Sequence, residues 1–142
     1  MGIASTIARA VGGLVDSVIG RPTSIPGHLI TRYPELGRAR WRTGGLPVRM
    51  GGWCLGQSTV SAITLWRTIW LAPGLTPSEE LLLHELRHVG QFEESALFPI
   101  LYLWESVRRG YVANRFEVDA RAYATTRLRE SRVSGSSSTP RG

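Results

Sequence analysis

The stretch His84-Glu85-Leu86-Arg87-His88 constrains this chain more than any other, because it asks for a helix and then places chemistry on one side of it. Histidines four apart on an α-helix stand about one turn from each other on the same face, so both imidazoles can reach a single ion. The glutamate between them is placed to act on a water held by that ion. Thr76-Pro77-Ser78-Glu79 supplies a start for the helix: an N-cap at Thr76, a proline at the first helical position, and Glu79 where it closes a capping box. The spacing predicts a helix from Pro77 to Glu94.

Zn²⁺ suits this donor set, and a catalytic zinc takes three protein ligands while keeping one position open. Of the three histidines only His28 remains, and Cys54 is the sole thiol, which directs attention to a carboxylate. The run Asn114 to Ala124 reads as the start of a second helix, carrying Glu117 and Asp119. These two lie about 200° apart around a helix, so only one can face the metal. Glu117 shares its side with Ala120, Ala124 and Leu128, a small apolar stripe suited to close helix packing, whereas Asp119 shares a more mixed side with Ala122, Tyr123 and Thr126. Glu117 is therefore the expected third ligand; its alternatives are a capping-box glutamate behind Asn114 or an ion pair with Arg121.

With both segments in view, the chain resembles the gluzincins. Phe116-Glu117-Val118-Asp119-Ala120-Arg121-Ala122-Tyr123-Ala124 is similar to the F-E-x-x-A-D-x-x-A stretch of the membrane CAAX-processing type. Together with His84 to Phe92 it resembles small bacterial minigluzincin-like domains, over about Arg49 to Leu128. The resemblance implies His84, His88 and Glu117 as zinc ligands and Glu85 as general base. The chain departs from the family pattern at Arg121, where the larger gluzincins carry an aspartate that orients a zinc-binding histidine; a guanidinium cannot accept an imidazole N–H. Arg87 and Gly90 also depart from the fuller motif, which prefers an uncharged and an apolar residue there.

A chain of 142 residues with 42% hydrophobic content fits one globular domain, expected over residues 1–132 and followed by a polar, disordered tail over 133–142. One cysteine excludes an intramolecular disulfide framework. The net charge of +6 comes from arginines that are scattered and not clustered, so no nucleic-acid partner is expected. Ile3, Ile7, Val11, Leu14 and Val18 recur at helical spacing, but Gly12, Gly13 and Asp16 break any continuous apolar run. Residues 1–19 are thus read as a helix packed on the domain, with membrane contact as the alternative, and neither as a signal peptide nor as a spanning segment. The expected location is cytoplasmic, with export by a dedicated secretion system as the other possibility.

Residues 20–45 read as a long irregular connection with a short strand at Arg38 to Thr43. Strands are expected at Pro47 to Gly52, Thr59 to Trp66 and Thr68 to Leu71. The resemblance to gluzincins implies an edge strand along the cleft that pairs with an extended peptide, placed within Ala62 to Leu71, with an ordinary core strand as the alternative. Leu97 to Trp104 reads as a buried helix interrupted by Pro99 and closed at Gly110. The expected fold is α+β and zincin-like: a short mixed or antiparallel sheet, then the H-E-x-x-H helix, with three or four helices in all. The expected function is zinc-dependent hydrolysis of peptide or unfolded polypeptide, with apolar preference from Trp66 or Trp70. His28, Tyr111, Arg121 and Tyr123 are the candidates for stabilising an oxyanion. The competing readings are a zinc- or peptide-binding domain without catalysis, and an effector-like protease dedicated to one protein.

Overall fold

The computed structural model describes residues 13–54 and 60–136. Among these, six helices and a four-stranded mixed sheet follow in the order α1 (the helical residues 13–19), β1 Arg21–Pro22, α2 Gly27–Arg32, a 3₁₀ helix Pro34–Arg38, β2 Arg40–Thr43, α3 Leu46–Cys54, β3 Ala62–Leu65, β4 Thr68–Leu71, α4 Glu79–Glu94, α5 Phe98–Arg109 and α6 Arg115–Ser136. The architecture is mixed α+β, with more helices than the sequence suggested.

The sheet runs β1-β2-β4-β3, with β2 and β4 parallel and the two outer pairs antiparallel. Register aligns Trp41, Ile69 and Thr64 in one row across three strands, and Thr43, Leu71 and Ala62 in the next. Side chains alternate along a strand, so both rows face the same way. Trp41, Ile69, Leu71 and Ala62 are buried against Leu82, Leu83, Leu86 and Val89 of α4, with Leu29, Tyr33 and Leu36 closing the core. Thr64 shares this face and is carried by it toward α4. Trp70 points the other way, where its indole N–H donates to the Ile19 carbonyl at 2.8 Å. It is packed beside the end of α1, away from the candidate site.

α4 starts two residues later than expected. Ser78 is the cap, its hydroxyl accepting from the Leu81 N–H at 3.1 Å, and Glu79 and Glu80 occupy the first turn where carboxylates favour the helix dipole. α6 begins after Asn114, whose Oδ1 accepts from the Phe116 N–H at 2.9 Å while its Nδ2 donates to Tyr102 O and Ser106 Oγ of α5. Ala120 and Ala124 are fully buried, which lets α6 lie close to α4. α6 continues to Ser136, four residues into the stretch read from sequence as tail.

Three further expectations are corrected. Pro47 to Gly52 is helical and not a strand: a Cβ at Gly51 would stand 3.1 Å from Ile63 Cδ1 and Val60 Cγ2, so the glycine admits α3 onto the side of β3 opposite α4. In α1, Leu14, Val15, Val18 and Ile19 are exposed instead of packed, while residues 1–12 of that expected helix lie outside the described residues. α5 ends at Gly110 with φ 77° as foreseen, but Pro99 sits in its first turn and most of its apolar side chains are exposed.

Candidate metal centre

Placing His84 and His88 on α4 and Glu117 on α6 brings three donor groups together. His84 Nε2 lies 3.2 Å from His88 Nε2 and 3.2 Å from Glu117 Oε2, and His88 Nε2 lies 3.3 Å from Glu117 Oε1. These are the described histidine and carboxylate groups able to converge on one ion. Ligand atoms about 2.0–2.1 Å from a tetrahedral zinc stand about 3.3 Å from each other, so the spacing fits that ion. Chemistry supports the fit too. Glu117 Oε2 is buried without an aligned hydrogen-bond donor, although His84 Nε2 is close. A buried carboxylate oxygen left in this state is costly unless a cation meets it.

Electrostatics of the metal-free cluster follow from this crowding. Burial alone would push the Glu117 carboxyl up, but the His84 and His88 rings and the Tyr102 hydroxyl outweigh it and hold the group below the ordinary carboxylate range. Burial alone would push the His88 ring down, but Glu117, Glu85 and Gln91 raise it above the usual histidine value.

The surrounding residues fix the ligands. His88 Nδ1 donates to Gln91 Oε1 at 2.8 Å, and Gln91 Nε2 donates to Phe116 O at 3.0 Å and Asp119 Oδ2 at 2.8 Å. Since both of those partners only accept, the amide has one orientation, and its oxygen holds the proton of His88 on Nδ1. The lone pair of Nε2 is thereby turned to the cluster. Asp119 faces Arg87 and Gln91 and not the histidines; Arg87 Nε donates to it at 2.6 Å, so the charged residue inside the motif ties α4 to α6. Tyr102 of α5 donates to Glu117 Oε1 at 2.6 Å. Burial and the neighbouring Glu117 raise the Tyr102 hydroxyl well above its ordinary range, keeping it a donor.

Gln91, Tyr102 and Thr64 were not singled out from sequence. Gln91 had a signal, lying three residues past His88 on the same helix face. Tyr102 had only its helical spacing from Phe98, and Thr64 only its alternation with Ala62. A direct consequence is expected for Gln91. Gln91→Leu should lower zinc affinity by about 10–100-fold, measured by chelator competition, because His88 loses the acceptor that sets its tautomer. Unchanged affinity in a folded Gln91→Leu protein would show that the amide does not orient the ligand.

Glu85 sits beside the cluster, with Thr64 Oγ1 donating to its Oε2 at 2.7 Å. His84 and Glu85 line a cleft of about 380 Å³ together with Ser61, Ala62, Tyr111 and Arg121. Of the four oxyanion candidates, Tyr111 and Arg121 border this cleft. His28 is exposed on α2, and Tyr123 packs against the core; neither lines it. Burial, then Glu117 and Glu85, raise the Tyr111 hydroxyl above its usual range. Arg121 Nη1 lies 3.9 Å from Glu117 Oε2 while Nη2 donates to Val112 O at 2.6 Å, so the ion pair weighed from sequence coexists with Glu117 facing the histidines.

β3 forms the outer strand of the sheet beside the cleft, and among the described residues no strand pairs with its free side. At its end Trp66 is 70% exposed, takes φ 52° in the turn to β4, and stacks on Phe92 of α4 at 5.7 Å. Comparison with protein-family models, with curated proteins and with solved structures finds no match to this chain.

Proposed function

We propose that this chain is a zinc-dependent peptidase of zincin-like fold, in which His84, His88 and Glu117 hold the metal and Glu85 handles protons. The observation that carries the proposal is the convergence of His84 Nε2, His88 Nε2 and the Glu117 carboxylate, with 3.2 Å between the two rings, 3.2 Å from His84 to Oε2 and 3.3 Å from His88 to Oε1, beside a cleft that His84 and Glu85 line. The element order, an edge strand before the histidine helix and a later helix giving the glutamate, agrees with the resemblance to gluzincins.

When bound, Zn²⁺ supplies the Lewis acidity that makes water nucleophilic near neutral pH and polarises a carbonyl. Glu85 is anchored through Oε2 by Thr64, leaving its other oxygen to take a proton from water and return it to the leaving amine. Tyr111 and Arg121 border the cleft as donors toward the oxygen on which charge develops. The free edge of β3 offers main-chain hydrogen bonds to an extended peptide, a mode of recognition that reads backbone before side chains. Trp66 and Phe92 provide apolar surface at the far end of that edge.

The test is a diverse peptide library incubated with the zinc-loaded protein, with products read by mass spectrometry. Expected are cuts in extended peptides that a chelator abolishes and added zinc restores. An occupied metal site with no cuts anywhere in the library would reject general peptidase activity.

A further inference from the structure

We propose that α5 seats the protein on an anionic lipid surface. Ile100, Leu103, Trp104 and Val107 follow the i, i+3, i+4, i+7 spacing of one helix face, and they are 66, 65, 54 and 89% exposed. The opposite face carries what binds α5 to the body of the protein. Phe98 is buried in edge-to-face contact with Phe92 and Phe116, Tyr102 reaches Glu117, and Glu105 is buried with Arg109 Nε 3.3 Å away. The apolar stripe of α5 therefore faces outward, where a surface helix in water turns its apolar side inward, and the inward side mixes Phe98 with Tyr102 and Glu105. Leu97 and Val112, 60 and 76% exposed, extend the same apolar character beyond each end.

Shape and charge select the occupant. The stripe is a convex ridge on a single helix, which a bilayer surface can accept and which offers a peptide no groove. Six side chains of roughly 100 Å² each fall short of the about 800 Å² per partner that a stable dimer buries. Around the ridge the charge is positive. The only carboxylate on α5 is the buried Glu105, while Arg108, Arg109 and Arg115 are exposed at its C-terminal end. Arg108 lies over the Trp104 ring at 5.0 Å, and among the described residues no carboxylate pairs with it. An indole at the edge of an apolar face with a free guanidinium beside it matches the chemistry of a headgroup boundary. No described helix is long and apolar enough to cross a membrane, so contact would be at one surface. This inference stands apart from the metal reading, although Tyr102 links the two: docking would bring the cluster to about one helix diameter from the lipid.

Flotation of the full chain with phosphatidylcholine vesicles, with and without phosphatidylglycerol, tests it. The unmodified protein is expected to float with the anionic vesicles only, and less as salt is raised. Ile100→Gln/Leu103→Gln/Val107→Gln should lower partitioning at least about tenfold with an unchanged circular dichroism spectrum, since these side chains are exposed. Arg108→Gln, which leaves the ridge intact, should lower it about fivefold. Brominated lipid should quench a tryptophan signal that Trp104→Phe removes. No flotation of the unmodified protein, equal flotation with neutral vesicles, or a triple variant that floats as well would overturn the proposal. So would a dimer in sedimentation that the triple variant dissociates, which would make the ridge an interface between copies of this chain.

Discussion

Glu85→Gln is expected to retain zinc at the unmodified level and to lose turnover by about 10²–10⁴-fold. Glu85 lies outside the group of donors formed by His84, His88 and Glu117, so metal affinity has no direct reason to change. Glutamine keeps the length of the side chain and an oxygen able to accept from Thr64 Oγ1, so the hydrogen bond at 2.7 Å has a replacement. What is lost is the capacity to take a proton. The measurement pairs elemental analysis of the variant with its rate on whichever peptide the unmodified protein cuts. A variant with full zinc and undiminished rate would move the base elsewhere, while a variant that loses zinc would place Glu85 in the metal's own ligand set.

Some of this molecule is legible in its sequence because periodicity and spacing are local. The H-E-x-x-H spacing calls for a helix, and α4 spans Glu79–Glu94; the β-type run Thr68 to Leu71 matches β4 to the residue. The choice of Glu117 over Asp119 used helix geometry together with the small apolar stripe Ala120, Ala124 and Leu128, and Glu117 faces the histidines because Ala120 and Ala124 let that face approach α4. Errors arose where one pattern permits two structures. Pro47 to Gly52 has apolar residues and glycines compatible with a strand, and the segment instead packs on β3 as a helix in which a Cβ at Gly51 would press on Ile63 and Val60 at 3.1 Å. For α5 the helix was foreseen, but an apolar stripe does not state which side meets the protein. Phe98 and Tyr102 decide that through Phe116 and Glu117 of α6. Thr64 was illegible as a site residue for the same reason: register, and not residue type, carries it to Glu85, whereas Gln91 reaches His88 by helical spacing that the sequence does show.

The metal ligands themselves give the other large effect. The purified chain is expected to bind one zinc, and His84→Ala, His88→Ala and Glu117→Ala should each weaken binding by more than about 100-fold, beyond what loss of an orienting neighbour costs. Asp119→Ala is the control that separates the two carboxylates. Asp119 accepts from Gln91 and Arg87 and does not touch the histidines, so its removal should cost about 10–100-fold through Gln91 and no more. Zinc should also raise the thermal midpoint of the unmodified protein, since an ion at 100 times its dissociation constant adds about 2.7 kcal/mol to a fold that alone can bind it. Glu117→Ala should lose that shift. It also removes a buried carboxylate whose Oε2 has no aligned donor in the metal-free state, so its metal-free stability is a second readout. If Asp119→Ala weakens zinc more than Glu117→Ala does, the assignment of the third ligand fails, because the fold would have to turn Asp119 away from Arg87 and Gln91 to reach the ion. Full zinc in both histidine variants would remove the metal centre altogether and leave the buried cluster as an ion pair that holds α4 against α6.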